Sequence, residues 1–317
     1  MNEKIQGSIL GFAVADALGV PVEFLDRSQL IDKPVTDMEG FGSHRVPEGT
    51  WSDDTSLMLA TMDSIVEKNG IDYDNIMQKF FNWVTKNEYT ATGELFDIGI
   101  STKKAIMNYY SGMPALECGC TGFNENGNGS LMRMTPLVFY LYQNFSRKEI
   151  ISIINNISSL THAHEISKLG CAIYVDYMIK ILDGNSKEEA YEALKKINYS
   201  EYYSEESIKL YSRILNGNLP NLDINQIKSS GFVVDTLEAA IWCTLKNTSY
   251  KDSVLAAVNL GNDTDTIGAI TGSINGLIYG RSAIPMEWLI KMKNFPYLES
   301  LINNFSNIIN INNEKCM

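Results

Sequence analysis

Apolar residues recur at intervals of three and four along most of this chain. Leu57, Thr61 and Ile65 follow one another at four-residue spacing with Met58 and Met62 alongside, and Ile76, Phe80, Phe81 and Val84 repeat the pattern. So do Ile150, Ile153, Ile154 and Ile157, then Ile173, Tyr177 and Ile181, then Ala239, Ala240, Cys243 and Thr244, and then Val254, Ala257 and Val258. This spacing places the apolar side chains on one face of a helix. Alternating strand-like runs are scarce, and Asn126-Gly127 sits in a glycine-rich segment rather than between two β-branched runs, where it would mark a hairpin. Ser146 before Glu149, and Ser186 before Glu188 and Glu189, read as helix starts. Breaks are expected at Gly112-Met113-Pro114, Gly217-Asn218-Leu219-Pro220 and Ala283-Ile284-Pro285, with long loops over 31–50 and 115–130. No solenoid-period repeat and no interdomain linker is evident. The pattern predicts an all-α fold: one compact multi-helix domain over residues 1–300, with the Asn-rich segment 301–317 as the end of a last helix or a tail.

Composition narrows the classes. The 317 residues, 44% hydrophobic, suffice for a sizeable core. A formal net charge of −12 repels phosphate backbones, so nucleic acid is not expected as a bulk partner, although metals or backbone donors would still hold a small phosphate-bearing ligand. The five cysteines are odd in number and lack zinc-site spacing, which fits a reduced chain. Ala13-Val14-Ala15 mimics a signal-peptidase site, but the preceding apolar stretch is short and broken by Gly7, Ser8 and Gly11, and Glu3 cancels Lys4. With no apolar run of about 18 residues recognised, no membrane span is expected, and the expected location is cytoplasmic.

Two acidic clusters change the picture. Gly49-Thr50-Trp51-Ser52-Asp53-Asp54-Thr55 and Gly261-Asn262-Asp263-Thr264-Asp265-Thr266 each place two carboxylates and flanking hydroxyls just before a helical pattern. Alone, either is ordinary helix capping. Together, four carboxylates from distant segments, converging without nearby cations, suit hard divalent ions such as Mg²⁺ or Mn²⁺. Asp53 and Asp54 are adjacent and diverge, so each can reach a different ion. Asp263 and Asp265, two apart, would point to one side of an extended backbone. Ser52 and Thr266 add neutral oxygens.

Other segments carry weaker signals. Gly268, Gly272, Gly276 and Gly280 recur every four residues, as a smooth stripe on one helix face would require. Gly127-Asn128-Gly129-Ser130-Leu131-Met132-Arg133 has glycines before a helix start, which leaves N–H groups for a phosphate, but it matches no standard nucleotide fingerprint. Arg133 either pairs with an acid or satisfies a helix end. Thr161-His162-Ala163-His164 lacks a third soft ligand for zinc, so packed histidines are the simpler reading. Asp16, among small apolar residues, reads as buried and structural, whereas Glu23, just past a helix end, could reach a cleft.

In combination and order these segments resemble the ADP-ribosylglycohydrolases. Residues Gly11 to Glu23 resemble the family's Gly-Asp-Ala-Leu-Gly pattern with its following Glu, with Ala15 in place of the first glycine. The remaining matches are Trp51 to Thr55, Gly127 to Arg133, Thr161 to His164 and Gly261 to Thr266, with further similarity at Phe96-Asp97-Ile98-Gly99 and from Gly231 to Leu237. The resemblance implies a compact orthogonal bundle of helices around two Mg²⁺ or Mn²⁺ ions, with Ser52, Asp53, Asp54, Asp263, Asp265 and Thr266 as ligands. It implies Glu23 over the cleft and a diphosphate on Gly127, Asn128, Gly129 and Ser130. It also places His164, Asp97 and Gly99 near the ligand, and Phe232 against adenine.

The implied reaction is hydrolysis of the bond between ADP-ribose and an acceptor through an oxocarbenium-like transition state. Asp53 or Asp54 would orient the water or act as base, and Glu23 would shuttle the proton. The substrate is an ADP-ribosylated protein or a small ADP-ribose conjugate. The N-linked arginine bond ranks ahead of an O-linked one, and a monomer is expected. A metal-dependent phosphoesterase fits the acids but not the motif order, and a silent ADP-ribose binder would not need the whole acid set. The loops within 31–50 and 85–125 are expected to set acceptor choice.

Overall fold

The computed structural model describes residues 1–316, with side-chain surroundings for 1–311. Its helices, in chain order, are α1 (Asn2–Gly19), α2 (Arg27–Asp32), α3 (Asp53–Lys68), α4 (Tyr73–Lys86), α5 (Ile100–Tyr110), α6 (Thr135–Leu141), α7 (Arg147–Ser159) and α8 (Glu165–Leu182). They continue as α9 (Lys187–Leu194), α10 (Glu205–Leu210), α11 (Ser212–Leu215), α12 (Val233–Lys246), α13 (Tyr250–Val258), α14 (Thr264–Tyr279), α15 (Met286–Lys291) and α16 (Phe295–Cys316). Among the described residues there is no strand, only two isolated bridges, Cys120 with His162 and Gly127 with Phe232. The fold is all-α, as the periodicity predicts.

The predicted caps form. Ser146 with Glu149, and Ser186 with Glu189, each make a reciprocal capping box. In α4 the apolar stripe buries Ile76, Met77, Phe80 and Trp83, while Phe81 and Val84 lie half-buried at its edge.

The centre of the molecule is the α1–α14 pair. Both helices are apolar on nearly every face, which suits core helices surrounded by others. By length and composition Asn2–Val22 is apolar enough to cross a membrane, contrary to the sequence reading, but 89% of that stretch is buried inside the fold. The glycine stripe explains how the two backbones meet. A Cβ on Gly276 would lie 2.0 Å from the Gly7 carbonyl oxygen, one on Gly272 would lie 2.2 Å from that of Gly11, and one on Gly19 would lie 2.5 Å from Asp265 Cα. Tyr250 Oη donates to the Gly11 carbonyl (2.7 Å) and closes the same seam. Gly280 does not belong to the stripe. It ends α14 at φ 78°, which glycine adopts without strain.

From residue 301 the chain continues α16, whose Ile302, Phe305 and Ile309 are buried against the core. Within the 85–125 segment, α5 replaces part of the expected loop. It buries only Thr102, Ala105 and Ile106, a stripe too thin to register as periodicity.

Candidate active site

Three chain segments build the site, and each is held by its own backbone chemistry. Asp16, near the end of α1, reaches across to the start of α3. Its carboxylate accepts from the N–H of Ser52 (3.1 Å), the N–H of Thr55 (3.1 Å) and the Thr55 hydroxyl (2.6 Å). The Ser52 hydroxyl accepts from the Asp54 N–H at 3.2 Å. Together they satisfy N–H groups that a helix N-terminus leaves orphaned, and a carboxylate there is favoured by the helix dipole. Burial nevertheless pushes Asp16 up to about 6, against these hydrogen bonds. Asp16 is therefore the anchor that aims Asp53 and Asp54. Ser52 caps the helix, as its simplest reading held, and does not line the cleft.

The second segment enters α14 through Gly261 and Asn262, both at positive φ (80° and 61°). Asn262 exchanges two 2.7 Å backbone bonds with the Phe24–Leu25 segment, and the Asp263 N–H donates to Ser229 O at 3.0 Å. Arg27 donates to the carbonyls of Leu260 (2.8 Å), Ile224 (2.6 Å) and Ile227 (2.7 Å), which ties these loops together. Asp263 and Asp265 do not share a side through extended backbone. Asp263 is the N-cap of α14 and Asp265 lies in its first turn. The turn brings their oxygens within 4.8 Å of each other and of Glu23.

The third segment is the glycine-rich loop. Its Asn128 N–H is already engaged with Gly231 O (3.0 Å), while the N–H groups of Gly127, Gly129 and Ser130 have no acceptor among the described residues. The Asn128 side chain donates to Asp263 Oδ2 (2.7 Å) and Thr236 Oγ1 (2.9 Å), joining the loop directly to the acidic cluster. Arg133 is fully buried and holds the loop from beneath, donating to Gly129 O (2.6 Å) and Ile157 O (2.8 Å). It serves backbone carbonyls, including the end of α7, rather than an acid.

These segments enclose a cleft of about 570 Å³, a volume typical of small-molecule sites. Glu23, Asp53, Asp54, Asp97, Gly99, Gly127, Asn128, Gly129, Asp263, Asp265 and Thr266 all line it. Besides Ser52, three expected residues stand elsewhere. Ser130 is buried behind the loop, with its hydroxyl on Ser158 (3.0 Å) and Cys171 (3.4 Å). Phe232 is half-buried beside the cleft and bridged to Gly127, but its neighbour Gly231 is the lining residue. His164 caps α8 through Nδ1, which accepts from the Ile166 N–H (3.3 Å). The histidine in the cleft wall is His162, with Nδ1 on the Thr161 hydroxyl (2.8 Å). Burial, with the Arg133 charge second, lowers His162 to about 3, so its ring is neutral. Nothing in a His-x-His pair tells which ring faces a cavity. His44, also missed, reaches the site from the 33–52 loop, with Nε2 2.5 Å from Glu23 Oε2.

The electrostatics call for cations. Seven of the lining residues are carboxylates and none is Lys or Arg. Burial first, and the neighbouring acids second, raise Asp53, Asp54 and Asp265 well above the usual carboxylate range. Burial likewise raises Asp263, and lifts Glu23 to about 7. Asp54 Oδ2 is buried without a partner, while its Oδ1 accepts from the Thr266 hydroxyl at 3.3 Å. Asp53 Oδ2 accepts from the Gly99 N–H at 3.3 Å, so the adjacent carboxylates do diverge. Two carboxylate groups, Asp16/Asp54/Asp265 and Glu23/Asp263/Asp265, bring their oxygens within 4.8 Å of one another. A dense set of oxygen donors with an orphaned buried oxygen is what hard divalent cations bind, so the residues present fit a metal.

The comparisons with known proteins agree with this architecture. The family model for ADP-ribosylglycohydrolases matches residues 1–314. The ADP-ribosylarginine hydrolase of Serratia proteamaculans is 32% identical, over 92% of this chain and 75% of that protein. The ADP-ribosyl-dinitrogen reductase glycohydrolase of Rhodospirillum rubrum is 24% identical, over 92% and 91%. A solved structure, described as an ADP-ribosylglycohydrolase-related protein complex, superposes with a TM-score of 0.82 at 28% identity, over 97% of this chain and 98% of that one. Carrying this fold, with both acidic clusters and the glycine-rich loop in one cleft, the chain belongs to the ADP-ribosylglycohydrolase family.

Proposed function

We propose that this glycohydrolase removes ADP-ribose from arginine side chains of ADP-ribosylated proteins, with two divalent cations, Mg²⁺ or Mn²⁺, in the acidic cleft. The observation that carries the reading is the Asn128–Asp263 hydrogen bond, which joins a loop with free N–H groups to the acids at the depth of one cleft. An ADP-ribose whose diphosphate lies on Gly127 and Gly129 has its distal ribose directed at Asp54, Asp263 and Asp265. The arginine linkage is favoured because the relatives at 32% and 31% identity are named ADP-ribosylarginine hydrolases.

In this mechanism Asp54, Asp263, Asp265 and Thr266 would hold the cations, which supply charge to fix the ribose hydroxyls and lower the pKa of a water. Asp53, one position before Asp54 on α3 and also lining the cleft, would orient the attacking water or take its proton. Glu23 faces the cleft from the α1 side and is raised to about 7 by burial, so it can hold a proton for the departing guanidine. The low-dielectric walls favour positive charge developing on the ribose beside these carboxylates. Asp16 and Asn128 keep the two acid segments in register.

The test is release of free ADP-ribose from an arginine-ADP-ribosylated protein, with Mg²⁺, with chelator, and with Asp54→Ala. Metal-dependent release that is lost in the variant supports the reading. Release only from a serine-linked or acetyl conjugate would move it to an O-linked substrate. Tight ADP-ribose binding without any release would make the chain a binder rather than an enzyme.

A further inference from the structure

The 33–52 loop grips the residue proposed as the cleft's proton carrier. Ser43 N–H donates to Pro21 O (2.8 Å) and the Ser43 hydroxyl to Glu23 O (2.5 Å). Gly42 presses so closely on Pro21 that a Cβ would lie 1.7 Å from its carbonyl oxygen. The next residue, His44, then places Nε2 2.5 Å from Glu23 Oε2, with both side chains largely buried (14% and 8% exposed). The imidazole makes tilted contacts with two aromatic rings, the exposed Phe24 at 5.8 Å and Phe96 at 5.1 Å. Phe24 holds its place at φ 66°, a strained conformation for a bulky residue that surrounding contacts must enforce.

A glutamate has three rotatable side-chain bonds, and a buried one hydrogen-bonded to a largely buried ring loses most of that freedom. With Oε2 on His44, Oε1 is the oxygen left for the cleft. We infer that His44 is a positioning residue: the 33–52 loop delivers its imidazole to fix the Glu23 carboxylate in the orientation from which it meets the substrate. This rests on the hydrolase reading above.

Three proteins test it: wild type, His44→Phe and His44→Gln. Phe keeps a ring between Phe24 and Phe96 without the Nε2 atom, whereas Gln carries a side-chain nitrogen at similar reach. Each is assayed for steady-state ADP-ribose release with Mg²⁺, for calorimetric binding of free ADP-ribose, and for melting temperature. His44→Phe is expected to lose on the order of 100-fold in kcat, the usual effect of a misplaced catalytic group, with ADP-ribose Kd changed by less than about 3-fold. His44→Gln is expected to recover most of that loss. Wild-type kcat in His44→Phe would overturn the inference. So would equal losses in both variants accompanied by a lower melting temperature and weaker ADP-ribose binding, which would mark His44 as structural. If the wild type releases no ADP-ribose from any conjugate, the hydrolase reading itself fails and the inference falls with it.

Discussion

Replacing Gly276 with Ala should destabilise the protein even though alanine is the better helix former. A Cβ at this position would sit 2.0 Å from Gly7 O, 2.6 Å from Gly7 C and 3.1 Å from Ser8 Cα. All three are backbone atoms of a buried helix, so no flexible side chain can move aside. Restoring ordinary contact requires α1 and α14 to part by about 1.4 Å, an overpacking that costs about 3 kcal/mol. Alanine regains about 1 kcal/mol of helix propensity over glycine. The net loss is about 2 kcal/mol. At about 2.1 cal/mol/K of unfolding entropy per residue, 317 residues give a fall in Tm of about 3 °C. Urea denaturation measures the free energy directly. Gly70→Ala is the control: its Cβ would meet nothing closer than 3.7 Å, so a gain of about 0.5 kcal/mol is expected there. Activity adds a second readout, because α1 carries Asp16 and its Gly19 rests on Asp265; kcat should fall at temperatures where Gly276→Ala is still folded. A variant as stable as wild type, or more so, would refute the claim that this seam is closed by backbone contact.

Three further outcomes follow from the site. Asp54→Asn should melt at or above wild type in chelator, because it relieves a crowd of buried acids. It should also lose the stabilisation, about 2.7 kcal/mol at one hundred times Kd, that Mg²⁺ or Mn²⁺ confers on wild type; a metal-induced shift that survives in the variant would remove Asp54 from the cation site. His162 is held to about 3 when folded, against its ordinary 6.5. Below pH 6.5 the unfolded chain therefore gains a proton that the folded chain refuses, and stability is lost as pH falls. By pH 5 this amounts to about 2 kcal/mol. His162→Gln should have a correspondingly flatter stability profile between pH 7 and pH 5, and an unchanged slope would show that the ring is not held neutral. Arg27→Met deletes hydrogen bonds to three carbonyls and should destabilise by about 3 kcal/mol. It should also weaken cation binding, which calorimetry would read, because the freed loop leads into Asp263; unaltered metal affinity would make Arg27 a purely local brace.

What the sequence disclosed, and what it did not, follows from the range of the interactions. The acidic clusters were legible because each is contiguous and sits at a helix start. Their convergence was the condition from which a metal was inferred, and the structure supplies the means of it, Asp16 for one and Arg27 with Asn128 for the other. Asp16 itself was readable as buried and structural, since an acid among small apolar residues has few alternatives. The orientation of single side chains was not readable. Ser130 turns inward while its neighbours face the cleft, and His162 rather than His164 meets it, because tertiary packing decides between residues that are equivalent in pattern. His44 had no local signature at all: its partner lies 21 residues away, across a loop whose path the sequence does not specify. The helix α5 escaped notice because Ile100, Met107 and Tyr110 are exposed on the face that amphipathicity would have made polar.

The Asn128 side chain has one more consequence. By bonding Asp263 Oδ2 and Thr236 Oγ1 at once, it makes the position of the glycine-rich loop and the orientation of a carboxylate of the acidic cluster a single variable. On the proposed reading, a cation that drew Asp263 toward itself would move the loop, and a diphosphate that settled the loop would move Asp263. Thermodynamic linkage then requires reciprocity: whatever factor the cation contributes to ADP-ribose affinity, ADP-ribose returns to cation affinity. If the proposed cation and diphosphate sites hold, the empty enzyme and the product complex would bind metal with different strength, and the same hydrogen bond would govern both the dissociation of ADP-ribose and the retention of the metal.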